Sequence, residues 1–397
     1  MTEDDEKSAP YRAVEWRSDT ILAHAGLAPH AFHGFVNPPL VRASTVLYPN
    51  AESFLDRRAK RYPYGLINTP TIEALTTALT ALEGERAAGT VLVPSGLNAI
   101  ALPIMAAVRP QTTVLIPDNV YYPSRRFADE CLAAFGARPV YYDPLSKDLA
   151  AKVDGASVVL IEAPGSLTFE MADIDAIVAA AKRAGAATVM DNTWATPLIY
   201  RPLERGIDMA AYAGTKYFGG HSDVMIGSVT ANAELWPLLK KLHGNLGLQA
   251  GTEEIWLTLR GLKTLSVRLE RHEKSALEVA NWLRGRPEVA RVLCPALPDD
   301  LGHALWKRDF GRMSGLFACV LNGGMDEAKR FLNALKLFGI GSSWGGFESL
   351  AIPAELGQSR TVRPWTEGAV IRLHIGLEDV ADIIADLERG FAAMAKG

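Results

Sequence analysis

The chain has 397 residues, 48% of them hydrophobic, and a formal net charge of −4 at pH 7. That length can bury a large core in two or three domains, while the near-balanced charge gives no electrostatic footprint for nucleic acid or an anionic membrane. Cys131, Cys294 and Cys319 are far apart and odd in number, and the eight histidines lack HExxH spacing. A disulfide framework and a zinc helix are therefore not expected, and a reducing cytoplasm is. The opening MTEDDEK reads as a frayed end rather than a signal peptide. No apolar run approaches the length of a membrane span.

Residues up to about Leu66, including the proline-bearing HGFVNPPLVRASTVLY, read as an extended arm. The spacing then turns helical. Thr69–Pro70 opens a helix, Glu73 sits in its first turn, Ile72, Leu75, Leu79 and Leu82 share a face, and Gly84 is the stop. From Gly89, short β-rich runs alternate with helical stretches. GTVLVPSG leads into LNAIALPIMAAV, TTVLIPD precedes a helix containing Arg125 to Phe135, ASVVLIEAPGS precedes DIDAIVAAAKRAG, and ATVMDNTW closes the series. Continuous apolar strands between amphipathic helices predict a mostly parallel α/β sheet covered on both faces. Ligands bind such sheets beyond the carboxyl ends of the strands. That singles out Ser95–Leu97, Asp118–Tyr121, Glu162–Ser166 and Asp191–Trp194. After Gly261 a long charged helix leads into a smaller α+β region, whose last helix carries Val380, Ile383, Ile384, Leu387 and Phe391. The expected division is an arm over 1–66, a central domain over 67–262 and a C-terminal domain over 263–397.

Within AYAGTKYFGGHSDVMIG, Lys216 stands among small residues, where almost nothing else is long or charged. Asp191 ends a buried strand, a costly place for a carboxylate unless it meets a cation or strong donor. The PSGLNAI turn between strand and helix presents amides suited to a phosphate. Thr215 adds a hydroxyl to the same place, while Ala213 and Gly214 let a bulky ring approach. Together these suit pyridoxal 5'-phosphate (PLP): an amine for its aldehyde, an acid for its pyridine nitrogen and a cradle for its phosphate. Tyr121 has an aromatic face and a phenol to offer. Taken singly, a turn-capping role for Asp191 and a core role for Tyr121 stay open.

Several blocks occur in order: MDNTWATPL, AGTKYFGGHSDVMIG, CPALPDDLGHALWKRDFGRMSGLFACV, SSWGGFESL and IRLHIGLEDV. Through them nearly the whole chain resembles the Cys/Met-metabolism PLP-dependent transsulfuration enzymes. The resemblance implies the PLP-dependent transferase-like fold of the aspartate aminotransferase type (fold type I), with 67–262 as the PLP-binding domain. It implies that Lys216 holds the cofactor and shuttles the α-proton, that Asp191 faces the pyridine nitrogen, and that Tyr121 stacks. Gly96, Leu97 and Thr215 would hold the phosphate. Arg372 would clamp the substrate α-carboxylate, with Ser343 and Trp344 lining that pocket. The implied reaction is PLP-dependent carbon–sulfur β-elimination, taking L-cystathionine to homocysteine, pyruvate and ammonia in methionine biosynthesis. Its alternatives are a cysteine-S-conjugate β-lyase of broader range, a cystathionine or methionine γ-lyase, and a non-catalytic PLP-fold binding protein.

The resemblance also implies a homo-oligomer, a dimer of dimers, in which the arm completes the neighbouring subunit's site. Tyr64 of YPYGLINTPT matches the tyrosine of the family's YxR segment, but Leu66 stands where the arginine belongs. Arg58, Lys60 and Arg61 are the nearby cations that could replace it. Ala213 stands where many members place a serine, and Ser342 where relatives often carry a larger residue.

Overall fold

The computed structural model describes residues 16–146, 152–357 and 359–394. The chain ends of the expected arm and C-terminal domain, residues 1–15 and 395–397, lie outside that set. Two sheets organise the molecule. The larger contains β1 (Gly89–Val93), β2 (Thr113–Pro117), β3 (Arg138–Tyr142), β4 (Ala156–Glu162), β5 (Ala187–Asp191), β6 (Met209–Tyr212) and β7 (Gly227–Ala231), in the order β1-β7-β6-β5-β4-β2-β3. Strands β2 to β6 pair in parallel, whereas β7 runs antiparallel to both β1 and β6. Six strands therefore point the same way, and their carboxyl ends deliver loops to one edge of the sheet. Strand β7 is reversed, and its first residue, Gly227, meets that same edge.

The apolar runs beginning at Gly89, Thr113, Ala156 and Ala187 are strands, as their patterning predicts, and β1 and β2 are buried along their whole length. Strands β3, β6 and β7 lie outside the strands that the patterning predicts. β6 is only four residues long, MAAY, too short for a periodicity to register. The helix Pro70–Glu83 forms where the spacing places it. The Thr69 hydroxyl accepts the Ile72 amide at 3.2 Å, Pro70 fills the first turn, and Gly84 leaves the helix at φ 102°. Arg125 begins no single helix: an α turn over Tyr122–Arg126 passes into a π turn over Phe127–Leu132.

The arm is not uniformly extended. It carries helical turns at Ser18–His24, Pro29–Phe32, Ala51–Leu55 and Arg57–Ala59, and the Asn50 side chain caps the third by accepting the Ser53 amide at 2.8 Å. Such short turns nucleate poorly alone, so their sequence signal is weak. Helices Thr252–Leu262 and Leu265–Arg284 then lead to an antiparallel sheet of β8 (Val289–Leu293), β9 (Leu316–Leu321), β10 (Leu350–Pro353) and β11 (Val370–His374), ordered β10-β11-β9-β8. The helix Val380–Met394 buries Ile383, Leu387 and Phe391 as its spacing predicts. Among the described residues, no helix is long and apolar enough to cross a membrane.

Candidate active site

The edge loops of the large sheet and the face of β11 enclose a cavity of about 920 Å³. Gly96, Leu97, Tyr121, Asp191, Thr215, Lys216, Ser343, Trp344 and Arg372 all line it. Residues more than 270 positions apart in the chain thus meet in one place, each delivered by a strand end or by the small sheet.

Lys216 follows β6. Its Nζ donates to the Ser343 hydroxyl at 2.7 Å and lies 5.3 Å from the centre of the Trp344 ring. Gly345, at φ 85°, lets this loop press on the lysine, since a Cβ there would lie 3.0 Å from the Lys216 carbonyl carbon. Burial, and secondarily the Arg372 charge, pull the Lys216 ammonium down to about 8, although Asp191 opposes the shift. An amine in that range is free often enough near neutrality to attack an aldehyde or take a proton.

Asp191 ends β5 and accepts the Thr193 amide at 3.0 Å. Burial raises its pKa, while Thr193 and the Lys216 charge hold it down. Beside it in the parallel register stands Glu162, the last residue of β4. Its Oε2 accepts the Tyr121 amide at 2.9 Å, fixing the start of the loop that carries the tyrosine. Burial first, then the Asp191 charge, push Glu162 well above the carboxylate range. Inspecting strand ends points to Glu162 as a position; its role as anchor for Tyr121 depends on a contact 41 residues away.

The helix Gly96–Ala107 starts at the cavity wall. The Ser95 hydroxyl caps it by accepting the Asn98 amide at 3.2 Å, which leaves the first-turn amides of Gly96 and Leu97 without intrahelical partners. A Cβ on Gly96 would come within 2.5 Å of the Ala213 methyl, so only glycine keeps this cradle against the turn before Lys216. Thr215 is differently engaged than its expected role suggests. Its hydroxyl donates to the Ile226 carbonyl at 3.1 Å and accepts the Ile226 amide at 3.0 Å, tying the lysine turn to β7. A phosphate contact would have to replace the first of these bonds.

Arg372 lies in β11 and is buried, with 7% of its surface exposed. One terminal nitrogen donates to the carbonyls of Ser342 at 3.0 Å and Ser343 at 2.9 Å, while its buried Nε has no partner among the described residues. Burial lowers its pKa to about 10, and it stays charged. This is a cation held rigidly by backbone, with donor capacity left for a carboxylate.

Tyr64 does not reach this cavity. It is 44% exposed, and its hydroxyl pairs with that of Ser44 at 3.1 Å. Leu66 is 42% exposed, and its carbonyl accepts the Gln249 side-chain amide at 3.4 Å. Of the cations considered as replacements for the arginine, Arg61 is bound to Glu73 at 2.8 Å and Lys60 lies 3.8 Å from Asp56. The Arg58 side chain is outside the described set.

A buried acid, a depressed lysine and a glycine-walled helix start surround one cavity, and these residues fit PLP. The chain belongs to the Cys/Met metabolism PLP-dependent enzyme family, whose model matches residues 19–392, and PLP is its cofactor. Among its relatives is a Rhizobium johnstonii protein provisionally named cystathionine beta-lyase, 50% identical, with 94% of this chain and 96% of the relative covered. The Escherichia coli cystathionine beta-lyase MetC is 40% identical, over 94% of this chain and 98% of its own. A Wolbachia pipientis L-alanine/L-glutamate racemase is 38% identical, over 95% and 98% respectively. The crystal structure of a Xanthomonas oryzae cystathionine gamma synthase with aminoacrylate and cysteine superimposes with a TM-score of 0.89 at 31% identity, covering 96% of this chain and 99% of that one. Mostly parallel sheet, smaller antiparallel sheet and cofactor together agree with fold type I.

Proposed function

We propose that this chain is a carbon–sulfur β-lyase, a cystathionine β-lyase that converts L-cystathionine and water to homocysteine, pyruvate and ammonia in methionine biosynthesis. The observation that carries the chemistry is the Lys216 amine, lowered to about 8 and sharing one cavity with the Arg372 guanidinium. The choice among sister reactions is supported by the likeness to proteins named as β-lyases.

PLP, when bound, supplies an electron-withdrawing ring next to the substrate's α-carbon. Arg372 holds the α-carboxylate through its free donors, which fixes the amino acid's orientation. Lys216 Nζ removes the α-proton, with Ser343 as the hydrogen-bond partner that aims it. Asp191, at the end of β5, would face the pyridine nitrogen and favour its protonated form. Gly96 and Leu97 would offer amides to the phosphate, joined by the Thr215 hydroxyl once it releases the Ile226 carbonyl. Tyr121 covers the cavity from the side that Glu162 anchors. The thiol leaves from the β-carbon, and the three-carbon remainder is hydrolysed to pyruvate and ammonia.

The reading extends to assembly and setting. The division at 67–262 and 263–397 is supported by the change from one sheet to the other. Exposed apolar residues on the arm, including Phe35, Val36, Leu47 and Leu55, support a dimer in which Tyr64 serves the neighbour's cavity, and a dimer of dimers beyond it. The three cysteines are free, which accords with a cytoplasmic protein.

A second reading, amino-acid racemisation, is favoured by the Wolbachia relative. It needs the same proton removal but breaks no bond at the β-carbon. The deciding experiment loads the purified protein with PLP and identifies products from L-cystathionine and L-alanine. Pyruvate with homocysteine is expected. 2-Oxobutyrate with cysteine would move the reaction to a γ-lyase, and D-alanine without cystathionine cleavage would make it a racemase.

A further inference from the structure

Three acidic side chains line the cavity: Glu162, Asp191 and Glu355. The first two are half-buried at the strand ends, where Tyr121 and Thr193 amides occupy them. Glu355 differs. It sits at the exposed mouth, just beyond β10, and its carboxylate has no ion pair or hydrogen bond among the described residues.

Register places Glu355 relative to the carboxylate clamp. Ile352 is the β10 residue directly opposite Arg372. Glu355 follows three residues later, so its backbone lies within roughly 10 Å of Ile352 along the chain. Between them the cavity wall is Ile352, Pro353 and Ser342, small or apolar groups that offer a bound molecule no charge. The Ser342 carbonyl is spent on Arg372 at 3.0 Å, and its short side chain leaves space beside the clamp. An amino acid held at Arg372 by its carboxylate lies beside this wall, and a leaving group that follows the wall outwards meets Glu355. Among the described residues of the chain, the charge lining that mouth is the negative Glu355.

We infer that Glu355 is a specificity-determining residue that receives a cationic ammonium on the leaving-group arm of the substrate, so that the site prefers thioethers whose departing thiol carries an amine. This rests on the β-lyase reading and adds the charge class of the leaving group to it. A thiol bearing only a carboxylate is disfavoured by the same group, through like-charge repulsion.

The test uses the PLP-loaded enzyme and three L-cysteine thioethers of similar size: S-(2-aminoethyl), S-propyl and S-(2-carboxyethyl). Pyruvate release gives kcat/KM for each. Wild type should favour the aminoethyl compound over the propyl compound by about fivefold, the scale of a charge pair that touches solvent, and should handle the carboxyethyl compound least well. Glu355→Gln should level the three, and Glu355→Lys should reverse their order. Because Glu355 is exposed, both variants should keep the wild-type circular dichroism. A charge-blind wild type, or a ranking that survives Glu355→Gln, overturns the inference while the β-lyase reading stands. L-Cystathionine run alongside tests the β-lyase reading separately: if it too yields no pyruvate, that reading falls, and if it alone is cleaved, that reading stands. Calorimetric affinities of the same compounds then decide the subsite: cation preference lost in Glu355→Gln upholds it, and equal affinities overturn it.

Discussion

A lysine amine enclosed by protein atoms releases its proton more readily than one in water, because burial penalises the charged form. At Lys216 the Arg372 charge adds to that burial and Asp191 works against both, with about 8 as the result. The sign for coenzyme loading follows directly. Only the free amine attacks an aldehyde, so loading of the coenzyme-free protein should accelerate as pH rises and level off above about 8. Visible absorbance of the bound coenzyme, followed after mixing with PLP, measures this. In Arg372→Leu the loss of a neighbouring cation should move the profile to higher pH, and an unmoved profile would remove Arg372 from the account. For stability the window lies between about 8 and the ordinary lysine value near 10.4. There the unfolded chain binds more protons than the folded one, so this lysine makes stability rise with pH across that window.

The turn Asp118–Tyr121 is held in place from the other sheet's side of the molecule. Asp118 follows β2, and its carboxylate accepts the amides of Thr361 at 2.9 Å, Val362 at 3.1 Å and Arg363 at 2.9 Å. It also meets the Arg125 guanidinium at 2.7 Å, with 1% and 4% of the two side chains exposed. Arg125 lies over the Tyr141 ring of β3 at 3.6 Å, so a single acid joins β2, the turn before β11 and the helical turn behind Tyr121. Removing one partner strands a buried charge, which costs about 3–5 kcal/mol. Asp118→Ala should lose stability on that scale in urea unfolding and should weaken activity as Tyr121 loosens. Asp118→Asn keeps part of the amide contacts and should lose less. A loss below about 1 kcal/mol for Asp118→Ala would show that the joint is dispensable.

Across the whole molecule, every expected site residue but one reaches the cavity from its own chain. Tyr64 is the exception: it lies exposed on the arm, paired with Ser44. A residue that serves a neighbour must face outward in its own subunit, so this placement supports a shared site. Mixed dimers of Lys216→Ala and Tyr64→Phe chains contain one cavity with both defects and one with neither. They should therefore recover up to about half the wild-type activity per dimer relative to either inactive parent. No recovery in verified heterodimers would confine Tyr64 to its own subunit. The absent arginine at Leu66 belongs to the same scale, because Arg61 is bound to Glu73 within the chain and is not free to replace it.

What could be read from residues alone was whatever local chemistry dictates. The helix Pro70–Glu83 announces itself through its cap, its proline and its 3.6-residue spacing, and strands β1, β2, β4 and β5 through unbroken apolar runs. Lys216 and Asp191 stood out because a long cation among small residues and an acid at the end of a buried strand are both costly unless used. The short arm helices, the four-residue β6, the reversal of β7, the Glu162 carboxyl that holds the Tyr121 amide and the place of Glu355 at the cavity mouth left no such local mark. Each is defined by a partner far along the chain, and pairing across that distance is settled only when folding brings the strand ends together and sets which charges are buried beside one another.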